Sequence, residues 1–290
     1  MILSSNILRN IREDYISTLS GIYDHNELIN IFRMLCYEYL GLKPAIAVLS
    51  LDESISSSAF ERFNFALQEL KRNKPVQYII GKADFFDLSL KVNEDVLIPR
   101  PETEELLKWI LDDHSNANAL KILDVGTGSG CIAIGLKRNM PSSDISGMDI
   151  SENALICASE NALLCDTEIN FLKADILNEF HWGTFPEYDI IVSNPPYVRL
   201  SEKRLMRSNV LDYEPGTALF VDDDNPMIFY KKLMEFSMDH LMAGGKIYFE
   251  LNEVTGRELP ELAKKYDYSN VEIRTDLRGK LRMARIIKSA

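Results

Sequence analysis

The chain has 290 residues, 46% of them hydrophobic, and a formal net charge of −12 at pH 7. This length allows two domains with buried cores. The acidic charge argues against a general nucleic-acid-binding protein, which would need a basic surface to neutralise phosphates. There is no apolar run of transmembrane length and no signal-like N-terminal stretch. We therefore expect a cytoplasmic protein that binds neither membranes nor, directly, nucleic acid.

The cysteines and histidines show no spacing typical of a metal site. The four histidines are scattered, and the four cysteines include no Cys-x-x-Cys pair: Cys36, Cys131, Cys157 and Cys165. Closely spaced ligand pairs are typical of structural zinc sites. We therefore predict reduced thiols and no bound metal.

Residues 1–74 are predicted to form a small helical bundle. Apolar side chains recur there at helical spacing, first at Leu28, Phe32, Leu35 and Tyr39 and again at Phe60, Phe63, Leu67 and Leu70. Ser58 and Glu61 have the spacing of a capping box, which predicts that the second of these helices begins there. The apolar stripes are best explained as the bundle core, and the remaining surface is available to a protein partner.

Residues 75–100 are predicted to form a β-hairpin linker, because apolar and polar residues alternate over 85–92. Residues 101–290 then alternate between helices and strands. We place strands near 121–125, 145–149, 169–173, 189–193, 246–251, 271–275 and 283–287, with Gly244 and Gly245 as a tight turn into the fifth. This α/β order predicts a parallel sheet with helices on both faces and a ligand site at the carboxyl ends of its strands.

A glycine loop follows the first of these strands, with the sequence Gly126-Thr127-Gly128-Ser129-Gly130. Glycines let the backbone approach a ligand closely, and the N-terminus of the next helix offers unpaired N–H groups. The next strand ends at Asp149, where a carboxylate accepts hydrogen bonds from both hydroxyls of a ribose. The pattern predicts a cofactor that contains adenosine.

The spacing of the loop favours S-adenosylmethionine over a dinucleotide. A dinucleotide motif requires glycine where this chain has Cys131. Asp124, just before the loop, is a poor neighbour for a pyrophosphate but a good one for a sulfonium or ammonium group. At the end of the third strand, Asp175 is placed to accept from the adenine amine and Ile176 to pack on its ring.

The fourth strand ends in the sequence Asn194-Pro195-Pro196-Tyr197. Two prolines prevent a helix from following, so the tip is stiff and extended. It offers the Asn194 side-chain oxygen, the Pro195 carbonyl and the aromatic face of Tyr197, a set that suits a planar group bearing an –NH2. The sequence predicts an amide or a base amine as the methyl acceptor, with these four residues as the catalytic ones.

The chain resembles the HemK/PrmC family of S-adenosylmethionine-dependent methyltransferases, which modify a glutamine in peptide chain release factors. Three motifs carry the resemblance: 124–130, 194–197 and the Ile-Pro-Arg-Pro-Glu-Thr-Glu stretch at 98–104. It implies a Rossmann-like class I methyltransferase sheet preceded by a small helical domain. It also implies methylation of the glutamine side-chain nitrogen in the Gly-Gly-Gln motif of class 1 release factors. The chain departs from relatives that carry an aromatic residue where it has Ile176, and its 221–227 segment is more acidic.

Other functions remain open on the sequence alone. A ribosomal-protein glutamine methyltransferase would use the same tip, and so would a DNA or RNA amino-methyltransferase acting on a flipped base, although no basic groove is evident. A non-catalytic assembly factor is disfavoured by the intact glycine loop and by Asn194, and a nicotinamide dehydrogenase by Cys131. Arg100 is interpreted either as half of a structural ion pair or as a contact to cofactor or substrate.

Overall fold

The computed structural model describes residues 3–266, 268 and 270–289. The chain divides into two compact units. The first contains Met1–Gly81 and Arg207–Tyr213, and the second contains Lys82–Met206 and Glu214–Ala290. One short internal segment of the chain therefore belongs to the N-terminal unit.

The first unit is helical. Its helices are α1 (Leu8–Leu19), α2 (His25–Leu40), α3 (Pro44–Leu49), α4 (Ser57–Lys71), α5 (Val76–Ile80) and, later in the chain, α9 (Ser208–Leu211). Tyr15, Phe32 and Phe63 pack at the centre of this unit, and the Tyr15 hydroxyl donates to the Phe63 carbonyl at 2.6 Å. The predicted apolar stripes on α2 and α4 do form this core.

The predicted capping box at Ser58 and Glu61 is wrong. The N-cap of α4 is Ser56, whose backbone is extended and whose Oγ accepts from the Ala59 N–H at 3.2 Å. Residues 56–58 are all serine, so each offers the same capping chemistry. Capping at the first serine adds helical residues without losing the cap.

Segment 207–213 is tied to the helical unit by side-chain contacts. The Tyr213 hydroxyl donates to the Arg72 carbonyl at 2.9 Å, and the Arg207 guanidinium lies 3.5 Å from the Glu27 carboxylate. α9 lies between these two contacts in the sequence.

The second unit begins with an antiparallel hairpin of β1 (Lys82–Phe85) and β2 (Leu88–Lys91). Phe86 and Asp87 both have positive φ, 47° and 62°, as a two-residue hairpin turn requires. The hairpin is therefore present, but the turn falls inside the run of residues 85–92 that alternation alone presented as one strand.

Seven strands form the main sheet, in the order β10-β11-β9-β6-β3-β4-β5. They are β3 (Lys121–Val125), β4 (Asp144–Asp149), β5 (Asn170–Lys173), β6 (Tyr188–Ser193), β9 (Leu241–Glu250), β10 (Asn270–Thr275) and β11 (Leu281–Ile287). The α/β sheet is confirmed, except that β11 runs antiparallel to both neighbours. Only residues 276–280 connect β10 to β11, too few for the crossover that parallel strands need.

Helices cover both faces of this sheet, as predicted. They are α6 (Pro101–Asp113), α7 (Cys131–Asn139), α8 (Glu152–Leu164), α10 (Ile228–His240) and α11 (Glu253–Lys265). Ile122 faces one core with side chains of α6 and α7. Leu123, on the opposite face of β3, joins the other core with side chains of α10 and α11. A small parallel pair, β7 (Val198–Arg199) and β8 (Phe220–Val221), lies outside the main sheet.

The fifth strand of the sheet begins earlier than the sequence predicts. β9 starts at Leu241, opposite Tyr188, and pairing resumes with Lys246 opposite Ile190. The predicted glycine turn is thus a bulge within the strand, with Gly244 at a φ of 74°. Among the described residues, no helix is long and apolar enough to cross a membrane.

Candidate active site

A cavity of about 350 Å³ lies at the carboxyl ends of β3, β4, β5 and β6. Its wall includes the residues that directly follow these strands: Gly126, Ile150, Ala174 and Asn194. The order of strands reverses between β3, β4 and β6, because β3 lies between the other two. Ligands of open α/β sheets bind at such a reversal. The sequence prediction that these strand ends converge on one crevice is confirmed.

The glycine loop is fixed to the end of β4 by its own backbone. The N–H groups of Gly126 and Thr127 donate to the Met148 carbonyl at 2.8 and 3.0 Å. Gly126 and Gly128 have φ values of 74° and 55°, which glycine adopts at low cost. Gly126, Thr127, Gly128 and Ser129 all line the cavity, and their role in cofactor binding stays a prediction.

Gly130, also predicted to bind cofactor, is not part of the cavity wall. It is the N-cap of α7 with a φ of 80°. A Cβ atom there would lie 3.1 Å from Ile134 Cδ1 and 3.2 Å from the Ala158 Cβ. This glycine allows the loop to enter α7 and α7 to pack against α8, so its role is structural.

Gly130→Ala is therefore expected to lower the free energy of unfolding by about 1–3 kcal/mol, since it combines a left-handed backbone with a tight contact. Urea unfolding of the purified variant measures the change. Gly183→Ala is the matched control, because a Cβ atom at that position meets nothing within 4 Å. Equal stability of the two variants would contradict the structural role of Gly130.

Asp149 joins the glycine loop to β4 and also lines the cavity. Its two carboxylate oxygens accept from the Gly128 N–H and the Ser151 N–H, each at 2.9 Å. Burial raises the pKa of Asp149, and these backbone donors oppose the rise. The carboxylate is thus held in place before any ligand arrives, with lone pairs left to accept further hydrogen bonds.

Asp124 lies behind the loop, fully buried. Its Oδ2 accepts from Thr127 Oγ1 at 2.7 Å and from the Ala133 N–H at 3.2 Å, while Oδ1 has no hydrogen-bond partner. Burial raises its pKa to about 7. Asp124 therefore ties the loop to the first turn of α7 and faces the cavity only through Thr127.

The charged side chains of the cavity wall are mostly acidic. Asp95, Asp149 and Asp175 supply three carboxylates, and Arg100 supplies the one guanidinium. Arg100 is itself paired with the buried Glu214, so it does not neutralise the carboxylates. Such a wall fits a cationic ligand better than a phosphate-bearing one.

At the end of β5, the structure places Asp175 and Ile176 in the cavity wall, as predicted. Asp175 Oδ1 accepts from the Leu177 N–H at 2.8 Å. Ile176 is buried at 6% exposure, and its carbonyl accepts from the Trp182 indole N–H at 3.2 Å. Ile176 therefore offers a fixed apolar surface to the cavity.

The tip after β6 contributes Asn194, Pro195 and Pro196 to the wall. Asn194 Nδ2 donates to Thr103 Oγ1 at 3.2 Å. Thr103 lies in the first turn of α6, and its hydroxyl donates to Glu250 Oε2 at 2.6 Å. The amide side chain of Asn194 is thus held from behind by groups that come from a helix and from the end of β9.

Tyr197 differs from its prediction, because the structure does not bring its ring into the cavity wall. The ring packs against the core beneath α10 and α11, and the hydroxyl donates to Glu250 Oε1 at 3.1 Å. The Tyr197 carbonyl accepts from Asn252 Nδ2 at 2.9 Å. Tyr197 therefore anchors the tip to the core, to Glu250 and to Asn252.

Glu250 is a residue beside the site that the sequence analysis missed. Thr103 lies in the 98–104 motif, but its hydrogen bonds to Glu250 and Asn194 were not predicted. Glu250 follows the apolar run Ile247–Phe249 at the carboxyl end of β9 and is 1% exposed. A carboxylate at the end of a buried strand was the available signal for Glu250.

Arg100 is half of an ion pair and also part of the wall. It bonds to Glu214, whose other oxygen accepts from the Ile98 N–H at 3.4 Å. Burial raises the pKa of Glu214, and the charge of Arg100 opposes that rise. The structural interpretation of Arg100 is thus supported, and its side chain remains a third exposed on the cavity side.

Arg100→Met is expected to destabilise the protein by about 2 kcal/mol at neutral pH, because it leaves a buried carboxylate without its cation. The pKa of Glu214 then rises further above its unfolded value of about 4.3. When the folded pKa of a carboxyl is raised, its charged form destabilises the folded state, so the loss of stability shrinks as the pH falls from neutral towards the unfolded pKa. Thermal unfolding across this pH range measures the loss of stability. Adding Glu214→Gln to Arg100→Met should restore stability at the upper end of the pH range. A loss independent of pH would contradict this account.

Comparisons with known proteins find similarity over most of the chain. The family model described as PrmC N-terminal domain matches residues 11–81, and that described as Methyltransferase small domain matches 103–211. A release factor glutamine methyltransferase of Flavobacterium psychrophilum is 41% identical over 97% of this chain and 99% of the relative. A release factor glutamine methyltransferase of Bacteroides thetaiotaomicron is 39% identical over 92% of this chain and 95% of the relative. A solved methyltransferase from Pyrococcus furiosus has a similar fold, with a TM-score of 0.52 and 19% sequence identity. The match covers 77% of this chain and 98% of that one.

Proposed function

Because the chain belongs to the release factor glutamine methyltransferase family, we propose that it methylates the glutamine of the Gly-Gly-Gln motif in class 1 peptide chain release factors. Membership makes it an S-adenosylmethionine-dependent methyltransferase. The observation that carries the substrate proposal is the shared cavity, whose wall contains both the glycine loop and the Asn194–Pro196 tip. The acceptor is the side-chain amide nitrogen of the glutamine.

The acidic cavity suits S-adenosylmethionine, which carries a sulfonium and an ammonium group. Gly126, Thr127, Gly128 and Ser129 would hold it through close backbone approach, and Asp149 would accept from the ribose hydroxyls. Asp175 and Ile176 would contact the adenine. The cofactor supplies an electrophilic methyl group attached to sulfur.

The protein's task is to orient a weak nucleophile. The lone pair of an amide nitrogen is delocalised into its carbonyl, so attack requires close, in-line placement. We assign the two amide protons to Asn194 Oδ1 and the Pro195 carbonyl. Because Asn194 Nδ2 is engaged by Thr103, Oδ1 is the atom left to accept. Both acceptors carry partial negative charge and stabilise the positive charge that develops on nitrogen.

No strong general base is needed before the methyl group moves. The new N–C bond forms as the C–S bond breaks, and the electron pair of that bond stays on sulfur. The nitrogen then carries a positive charge, and its protons are far more acidic than those of an amide. One proton leaves to water or to the Asn194–Pro195 acceptors.

We assign partner recognition to the helical residues 1–74, the linker role to 75–100 and methyl transfer to 101–290. Support for the first comes from large apolar side chains that the helical unit leaves exposed: Tyr37, Ile46, Val48, Leu49 and Phe65. Ile46, Val48 and Leu49 lie together on the short helix α3, and contiguous exposed apolar patches are typical of protein-binding surfaces. Since the proposed partners act on ribosomes, we place the protein in the cytoplasm.

Transfer of labelled methyl groups from S-adenosylmethionine tests the substrate. The substrates offered in parallel are a purified class 1 release factor, its Gly-Gly-Gln→Gly-Gly-Ala variant, ribosomal proteins and unmethylated duplex DNA. We expect label on the unaltered release factor alone. Label on a ribosomal protein or on DNA instead would reject the proposed substrate in favour of that class.

A further inference from the structure

We propose that Glu250 and Thr103 form a one-way hydrogen-bond relay that fixes the orientation of the Asn194 amide, making both of them positioning residues for methyl transfer. The inference rests on the proposed function, in which Asn194 must present its oxygen to the substrate.

An asparagine side chain does not orient itself. Its oxygen and its NH2 group are nearly equal in size, and rotation by half a turn exchanges an acceptor for a donor. A substrate –NH2 group needs an acceptor. In the rotated form, Asn194 would present its own NH2 group to the substrate, and two donors cannot form a hydrogen bond. The neighbours of Asn194 must therefore decide which end faces the substrate.

The neighbours form a continuous chain. Asn194 Nδ2 donates to Thr103 Oγ1 at 3.2 Å, and Thr103 Oγ1 donates to Glu250 Oε2 at 2.6 Å. Thr103 is 2% exposed and Glu250 1%, so both partners of the second bond are buried. The Tyr197 hydroxyl, at 3.1 Å, donates to the second oxygen of Glu250.

The direction of this chain follows from the number of protons. A hydroxyl has one proton, and a carboxylate only accepts. With its proton donated to Glu250, Thr103 offers Asn194 only lone pairs, so the NH2 end of Asn194 must face Thr103. A glutamine at position 250 would remove this constraint, because its NH2 group can donate to Thr103 and free the threonine proton for Asn194 Oδ1.

Two hydroxyl groups are placed as donors to Glu250, one on each of its oxygens. Burial raises its pKa, whereas the hydrogen bonds from Thr103 and Tyr197 and the charge of Arg282 oppose the rise. Burial also raises the pKa of Tyr197, so that side chain keeps its proton and remains a donor. Both hydroxyls therefore point their protons at Glu250.

A double-mutant cycle tests whether Thr103 acts through Asn194. Thr103→Val keeps the shape of the side chain and removes the relay, and we expect it to lower the rate of transfer to the release factor by roughly tenfold to a hundredfold. Thr103→Ser, which keeps the hydroxyl, should restore most of the rate. In an Asn194→Ala background, Thr103→Val should cost less than about twofold, because the residue it positions is gone. Equal losses in both backgrounds would overturn the proposal, as would failure of the serine variant to restore the rate.

Side-chain amide NMR gives a second readout that needs no substrate. The Asn194 NH2 signals are identified by their loss in Asn194→Ala. We expect them to shift in Thr103→Val and to split or broaden in Glu250→Gln, while the exposed control Thr184→Val leaves them unchanged. Unchanged signals in Thr103→Val would overturn the relay. If the wild-type protein transfers no label to the release factor, the proposed function fails, and this measurement still decides the orientation of Asn194.

Discussion

Replacement of Asn194 by alanine is expected to reduce the rate of methyl transfer by about a hundredfold to a thousandfold. Rate losses of this size are usual when an enzyme loses one preorganised group that stabilises the charge of the transition state. The variant loses an acceptor for one substrate proton and leaves the Pro195 carbonyl as the remaining one. Single-turnover transfer of labelled methyl groups to a release factor measures the change.

The loss should appear mainly in the chemical step. The glycine loop, Asp149 and Asp175 are untouched by the substitution, so the affinity for S-adenosylmethionine should change much less than the rate. Asn116→Ala, at an exposed position away from the cavity, is the matched control and should keep full activity. If Asn194→Ala kept full activity too, the proposed mechanism would be wrong.

Asp149→Ala is expected to weaken S-adenosylmethionine binding by about a hundredfold. Hydrogen bonds to a charged acceptor contribute about 1.5–3 kcal/mol each, and about 2.7 kcal/mol corresponds to a hundredfold change in affinity. The substitution also frees the N–H groups of Gly128 and Ser151, both of which donate to this carboxylate. Isothermal titration calorimetry with S-adenosylmethionine measures the dissociation constant directly.

Asp144 provides the control for this experiment. It lies at the opposite end of β4, is exposed, and does not line the cavity. Asp144→Ala should bind the cofactor as the wild-type protein does. An equal dissociation constant for the Asp149 and Asp144 variants would exclude Asp149 from cofactor binding.

The sequence predicted the location of the site because strand ends are local features. Gly126, Asp149, Asp175 and Asn194 each lie at the carboxyl end of a predicted strand, and a largely parallel sheet brings such ends to one edge. No long-range contact had to be known to place these residues together. The same reasoning gave the α/β architecture.

The residues that hold the site in place were not predictable in this way. Thr103 contacts Glu250 across 147 positions in the sequence and Asn194 across 91. Neither contact leaves a periodic or local trace. Gly130 and Tyr197 belong to recognised motifs, and only the packing of α7 and of the second core shows that they support the site from behind.

Errors in the element boundaries have simpler causes. The start of α4 was ambiguous because three consecutive serines can each cap a helix. The reversed direction of β11 follows from the short connection at 276–280, whereas alternation between strand and helix carries no information on strand direction where no helix intervenes. The bulge at Gly244 interrupts β9 in a place where two glycines favour a turn.

The assignment of residues 207–213 to the helical unit has a consequence for dissection of the protein. The polypeptide crosses from one unit to the other three times, after residues 81, 206 and 213. A fragment that ends at residue 81 would lack α9 and the Tyr213 contact to Arg72. A fragment that starts at residue 82 would still carry the seven-residue segment 207–213, which begins ten positions after Tyr197, but without the helices that this segment contacts. Proteolytic nicking at residue 81 should therefore leave the helical piece retained through its noncovalent hold on that segment.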